Sequence, residues 1–276
     1  GSNSIQVQPL TAGNKKYAFA LYRVPIDYPI SSPLDTTGVI VEAATAAKKS
    51  SQFLRLLPPP LVLVHGVWSN GDAWRGLEQN LANQGYFICD ICRVDYGSIE
   101  PAGSFDPKQP GESIFSVIRA VNSARTALRR TGIAATQVDI IGHSMGGLVA
   151  RARASKNLAQ LSPYLRLDNY LKGDFHKLIT VGTPHLGTLL ANHLTDYKDV
   201  RTTLGITFGK FWEGFLPEKP LGPAIYGFRT DSKPLQNIGA TNVRSHAIYG
   251  IEPELSLTEG LLDSKLALLP LTNSLD

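Results

Sequence analysis

The stretch Val138-Asp139-Ile140-Ile141-Gly142-His143-Ser144-Met145-Gly146-Gly147 joins an apolar strand pattern to Gly-x-Ser-x-Gly and then to a helical pattern. Strand, sharp turn and helix in that order form a nucleophile elbow, which lifts a serine oxygen above a parallel sheet. Side chains at the two flanking positions would collide across so tight a turn, so glycine is required at Gly142 and Gly146. The turn also starts a helix, so the Met145 N–H is an orphan donor facing the place where charge would develop on a substrate oxygen. The letters alone are a weak signal. Their position between a strand and a helix gives them weight.

The pattern on either side of the elbow alternates. Leu61-Val62-Leu63-Val64 is short and wholly apolar, as a parallel strand covered on both faces should be. A helix follows from about Gly71 to Asn83, with Trp74, Leu77 and Leu81 at helical spacing. A strand is expected over 86–94. After a polar, proline-rich loop over 96–111, a long helix carries Ile114, Val117, Ile118, Val121 and Leu128 on one stripe. Strand 137–141 enters the elbow, helix Met145 to Lys156 leaves it, and a further strand runs from Lys177 to Val181. Another alternating stretch covers Asn242 to Gly250. Repeated strand–helix alternation implies a doubly wound, mainly parallel α/β sheet, with ligands at the carboxyl ends of its strands.

Residues 1–57 break into β-rich pieces, such as Ile5-Gln6-Val7 and Tyr17 to Tyr22, punctuated by Pro25, Pro29 and Pro33. They read as an antiparallel N-terminal extension of a single domain spanning 1–276. Residues 188–227 interrupt the alternation and read as an inserted helical cap or lid. Within them Phe208, Phe211, Trp212 and Phe215 fall on one helical face, which either packs onto the main domain or covers the serine and meets a lipid surface.

Composition limits the function classes. With 27 Lys and Arg against 23 Asp and Glu, the net charge of +4 is small. The basic residues form no dense patch, which argues against nucleic acid as a partner. No apolar run reaches the length of a membrane span. Cys89 and Cys92 are the only cysteines. On the expected strand they would point to opposite faces, so they read as buried free thiols rather than a disulfide, redox pair or metal site.

A serine hydroxyl becomes a nucleophile only with a base to take its proton and donors to hold the oxyanion. Val64-His65-Gly66-Val67-Trp68, a buried strand running into His-Gly, offers the second donor. There the Val67 N–H would face the Met145 N–H. These pieces, together with Thr183-Pro184-His185-Leu186-Gly187, make the chain resemble the bacterial triacylglycerol lipases of the α/β-hydrolase fold. The resemblance runs from about residue 58 to 190. It implies Ser144 as nucleophile, the Val67 and Met145 amides as oxyanion hole, and lipid or other acyl esters as small-molecule substrates. It further implies no metal or organic cofactor for the chemistry, and an extracellular or periplasmic setting. Relatives of this kind can hold calcium near the catalytic histidine, in a region not identifiable here.

The fold's triad runs Ser, acid, His along the chain, and here this order is hard to complete. His176 precedes a strand and His185 belongs to the Thr-Pro-His-x-Gly turn, so both read as structural. His193 opens the cap. His65 and His143 adjoin glycine turns and read as local braces. His246 lies mid-strand and is the base candidate only by default. Glu252 and Glu254, just after that strand, are the nearest acid candidates, with simple solvation as the alternative. The preferred expectation is that the acid and histidine lie past Asp276, the chain being truncated or incomplete at its carboxyl end. An unusual histidine with Glu252 or Glu254 is a second, and a hydrolase-like binding module with a vestigial serine a third. Thioesterase, amidase and polyester depolymerase activities would use the same parts.

Overall fold

The apolar run Leu61–Val64 forms a strand buried on both faces, with at most 2% of any residue exposed. Each such side chain contributes about 1.5–3 kcal/mol by leaving water. The structure is a computed structural model and describes residues 4–22, 38–84, 92–96, 105–158, 163–196 and 222–250. The chain divides into two compact units, Gly1–Leu57 and Pro58–Asp276.

The first unit contains two antiparallel hairpins. Strands β1 (Leu10–Ala12) and β2 (Lys15–Tyr17) turn through Gly13, whose φ is +64°. Strands β3 (Gly38–Ala44) and β4 (Lys49–Arg55) pair along their full length, from Gly38 opposite Arg55 to Ala44 opposite Lys49. The expected β pieces at Ile5–Gln6–Val7 and over 18–22 form no ladder.

Among the described residues, the second unit is built on a five-stranded, all-parallel sheet of β5 (Leu61–Val64), β6 (Arg93–Val94), β7 (Val138–His143), β8 (Phe175–Val181) and β9 (Arg244–Ile248). Their spatial order is β6-β5-β7-β8-β9. The 3₁₀ turn Gly71–Trp74, started by an Asn70 side chain that accepts from the Asp72 N–H, leads into α1 (Arg75–Asn83). Helix α2 (Glu112–Arg130) buries Ile114, Val117, Val121 and Leu128, with Ile118 at the margin of the same core. Glu112 in its first turn and Arg129 and Arg130 in its last complement the helix dipole. Helix α3 (Met145–Ala154) follows the elbow, and α4 (Leu189–Asp196), α5 (Pro223–Gly227) and α6 (Lys233–Ile238) come after β8. No helix among the described residues is long and apolar enough to cross a membrane.

Of the strand expected over 86–94, Arg93–Val94 is described as a strand, and 85–91 lie outside the described residues. One expectation changes. Cys92 is fully buried, as expected, but it is disulfide-bonded, and Cys89 is the chain's only other cysteine. A bridge was excluded on the expectation that both cysteines lie on one extended strand, whereas Cys92 itself is in a bend just before Arg93–Val94.

At the amino ends of β7 and β8 lies a buried ionic cluster. Arg153, with no exposed surface, donates from Nε and Nη2 to Asp174 Oδ2 at 3.0 and 2.5 Å. The Tyr164 ring lies 5.3 Å from its guanidinium carbon. Arg166 binds the other Asp174 oxygen at 2.6 Å, and Arg125 binds Asp168 at 2.5 Å. Nearby, His176 Nδ1 meets Asp139 Oδ1 at 2.8 Å. This carboxylate between neighbouring strands gives His176 the structural place expected of it.

Candidate active site

Ser144 stands between the last residue of β7 and the first of α3, at φ 51° and ψ −122°. That is left-handed backbone, which a non-glycine residue occupies only when its surroundings hold it there, at a cost of about 1–3 kcal/mol. Its N–H donates to the Val181 carbonyl of β8 at 2.8 Å, and its own carbonyl accepts from the Gly147 N–H at 3.1 Å. The flanking glycines leave no room for a side chain. A Cβ on Gly142 would lie 2.5 Å from the Gly147 nitrogen, and one on Gly146 would lie 2.3 Å from the Val64 carbonyl oxygen.

The loop after β5 reaches the same point. A Cβ on Gly66 would lie 2.9 Å from the Ser144 Cβ, so the His-Gly turn presses directly on the elbow. Val67 follows it, partly buried, and its N–H meets no hydrogen-bond acceptor among the described residues. Met145 is the first residue of α3, so its N–H precedes the helical ladder. Trp68 completes the loop at φ 57°, a second strained non-glycine residue. Its indole Nε1 is buried without a partner among the described residues.

Three histidines surround this region without acting on Ser144. His65 is 1% exposed. Its Nδ1–H donates to the Gly66 carbonyl at 2.7 Å, while Nε2 accepts from the Tyr96 N–H at 3.3 Å. The Tyr96 hydroxyl donates to the His65 carbonyl, and the two ring centroids lie 4.1 Å apart with the planes tilted by 31°. Burial lowers the His65 pKa, which matches a neutral ring with one donor and one acceptor. His143 packs edge-on against Trp74 at 6.5 Å, and desolvation lowers its pKa. His185 lies between Arg151, which donates to Nδ1 at 2.9 Å, and Thr180 Oγ1, 3.0 Å from Nε2. Burial first, then the Arg151 charge, lower its pKa to about 4. Both ring nitrogens are occupied, so His185 ties the Thr-Pro-His turn to α3 and β8.

The structure brings Ser144 together with the Gly66–Val67 turn and the start of α3, and leaves His246 elsewhere. His246 is exposed on β9 in register with Ile179, whereas His143 of β7 is in register with Val181. It is thus two strands from the elbow, about 10 Å across the sheet, and below its carboxyl edge. Glu252, Glu254, Phe208, Phe211, Trp212 and Phe215 lie outside the described residues. Among the described residues no cluster of His, Cys, Asp and Glu is arranged to hold a metal ion. Sequence reading passed over Tyr96. Its one signal is an aromatic residue two places beyond the carboxyl end of a parallel strand, where this fold class gathers its ligands.

An elbow serine at the carboxyl edge of a parallel sheet, faced by a glycine turn from the neighbouring strand, defines a hydrolase of the α/β class. The chain belongs to the alpha/beta hydrolase family, whose model matches residues 61–242. It is similar to a triacylglycerol lipase of Burkholderia plantarii, 28% identical over 171 residues that make up 59% of this chain and 40% of that protein. To a triacylglycerol lipase of Pseudarthrobacter phenanthrenivorans it is 29% identical over 144 residues, 50% of this chain and 36% of the relative. The chain therefore spans about two fifths of the length of these curated relatives. Among solved structures, the mature lipase BlEst2 of Bacillus licheniformis matches with TM-score 0.39 and 19% identity, over 69% of this chain and 64% of that one. Phospholipase PlaB of Legionella pneumophila matches with TM-score 0.43 and 20% identity, over 70% and 39%.

Proposed function

We propose that this chain carries the nucleophile and oxyanion site of a serine hydrolase that cleaves carboxylic esters, with lipid or other acyl esters as substrates. The observation that carries the reading is the convergence at Ser144. A serine held at φ 51° meets a glycine turn whose next amide has no acceptor among the described residues. Ser144 Oγ attacks the ester carbon and gives up its proton to a base, while the carbonyl oxygen becomes an anion. The Val67 and Met145 amides stabilise that anion, each by about 3 kcal/mol. Collapse breaks the bond to the leaving oxygen, which takes up the proton, and water then releases the acyl group by the same sequence in reverse. A histidine–carboxylate pair must carry the proton, and Glu252 and Glu254 are the candidate carboxylates within this chain.

Similarity to triacylglycerol lipases supports lipid esters as the substrate class. In this reading Phe208, Phe211, Trp212 and Phe215 form the lipid-facing side of a lid. The disulfide at Cys92 supports an oxidising compartment, extracellular or periplasmic. The test is labelling by a fluorophosphonate, followed by turnover of oxygen esters, thioesters and anilides of matched acyl length. Labelling of the wild type but not of Ser144→Ala, with oxygen esters turned over fastest, is expected. A protein that includes the native residues following Asp276, takes no label and turns over none of the three is a binding module, and the proposal fails.

A further inference from the structure

The Gly66–Val67 peptide is the part of the site whose orientation decides whether a second oxyanion donor exists. All described peptide bonds are trans, so the Gly66 carbonyl and the Val67 N–H point in opposite directions. The carbonyl end is held at 2.7 Å by His65 Nδ1, so the N–H end faces away from the imidazole. Gly66 itself abuts Ser144 on one side. The imidazole is fixed in turn from the residues that follow β6: the Tyr96 N–H holds Nε2, the Tyr96 hydroxyl holds the His65 carbonyl, and the tilted rings are in contact at 4.1 Å between centroids. Tyr96 is 3% exposed and His65 1%, so water does not compete for these bonds. The next residue, Trp68 at φ 57°, is a strained position that such bracing must hold.

We infer that His65 and Tyr96 are positioning residues that lock the Gly66–Val67 peptide with its N–H toward the nucleophile. The inference rests on the serine hydrolase reading. Without the clamp the peptide can rotate, turning a carbonyl oxygen toward the developing anion in place of a donor. Binding of substrate is little changed by this, because the ground-state carbonyl makes small use of the hole. The loss falls on kcat.

The test compares an oxygen ester with its thionoester, whose larger, weaker-accepting sulfur makes poor use of donors spaced for oxygen. Wild type, His65→Ala, His65→Asn, His65→Gln and Tyr96→Phe are assayed on both substrates, with thermal midpoints recorded. Asparagine places an amide N–H near the Nδ1 position, and glutamine places one near Nε2. His65→Ala and His65→Gln are expected to lose about 10- to 100-fold in kcat on the oxygen ester, a large part of the effect of deleting one hole donor. KM and the thionoester rate stay near wild type. His65→Asn restores most of the oxygen-ester rate, and Tyr96→Phe shows a smaller loss of the same kind. Equal losses on both substrates, or asparagine no better than glutamine, overturn the inference. If His65→Ala does not fold, the asparagine–glutamine comparison decides alone. Wild-type protein, extended by the native residues following Asp276, that neither takes a fluorophosphonate nor cleaves either ester refutes the hydrolase reading, and the inference falls with it. A labelled, active wild type with unselective variants refutes only the clamp.

Discussion

Replacing Gly146 by alanine tests the close approach on which the site depends. The new Cβ would lie 2.3 Å from the Val64 oxygen, 2.6 Å from the His65 oxygen and 2.8 Å from the Val64 carbonyl carbon. Ordinary contact begins at 3.4 Å, so the elbow and β5 must separate by 3.4 − 2.3, about 1.1 Å. All three obstacles are backbone atoms at the end of a fully buried strand, so no side chain can swing aside. Overpacking of this kind costs about 1–3 kcal/mol, and a catalytic misplacement near 1 Å costs about 100-fold in rate. The assay is the rate of Ser144 labelling by a fluorophosphonate, read beside the thermal midpoint. Gly76→Ala is the control. A Cβ at Gly76, within α1, meets nothing within 4 Å, so it should be neutral or stabilise by about 0.5–1 kcal/mol. Gly146→Ala with the wild-type midpoint and labelling rate would refute the claim that β5 and the elbow are in contact.

Ser144→Gly should abolish labelling yet raise stability by about 1 kcal/mol, because glycine adopts the φ of 51° without strain; a lower urea midpoint contradicts this. Arg153→Met leaves Asp174 buried with a weaker complement of cations and should cost about 3 kcal/mol in urea unfolding; a loss under about 1 kcal/mol would mean that Arg166, with Arg125 3.7 Å from the same carboxylate, suffices. His185 takes a proton near pH 6.5 in the unfolded chain but only near 4 when folded. Its neutral form therefore stabilises fully above pH 6.5, and that contribution is lost as pH falls toward 4. Urea midpoints of His185→Gln should fall less steeply than wild type across that window, and parallel curves would remove His185 from the pH response.

The central strands were legible because burial on both faces writes an unbroken apolar run, as in Leu61–Val64, and helix α2 because one buried stripe repeats with the helical period. Steric demand made the elbow legible too, since only glycine tolerates backbone atoms 2.3–2.5 Å from a would-be Cβ. Long-range pairing leaves no such mark. Tyr96 braces His65 across 31 residues, and Arg153 meets Asp174 across 21; neither spacing follows a helix or strand period. The cysteine reading failed because a pairing such as the Cys92 disulfide depends on local backbone geometry, which residue spacing does not state. His246 was placed correctly on a strand, but register, which the sequence does not state, sets it level with Ile179 and away from Ser144.

The two ends of the sheet have different tasks. Arg153, Arg166, Asp174, Asp139 and His176 bind neighbouring elements together at the end where β7 and β8 begin. Ser144 and the His-Gly turn occupy the end where β7 and β5 finish. Loops at the finishing end can lengthen, shorten or change sequence while the ionic anchor at the other end stays intact. A descendant of this chain could thus acquire a different acyl preference by altering its rim, with its foundation untouched.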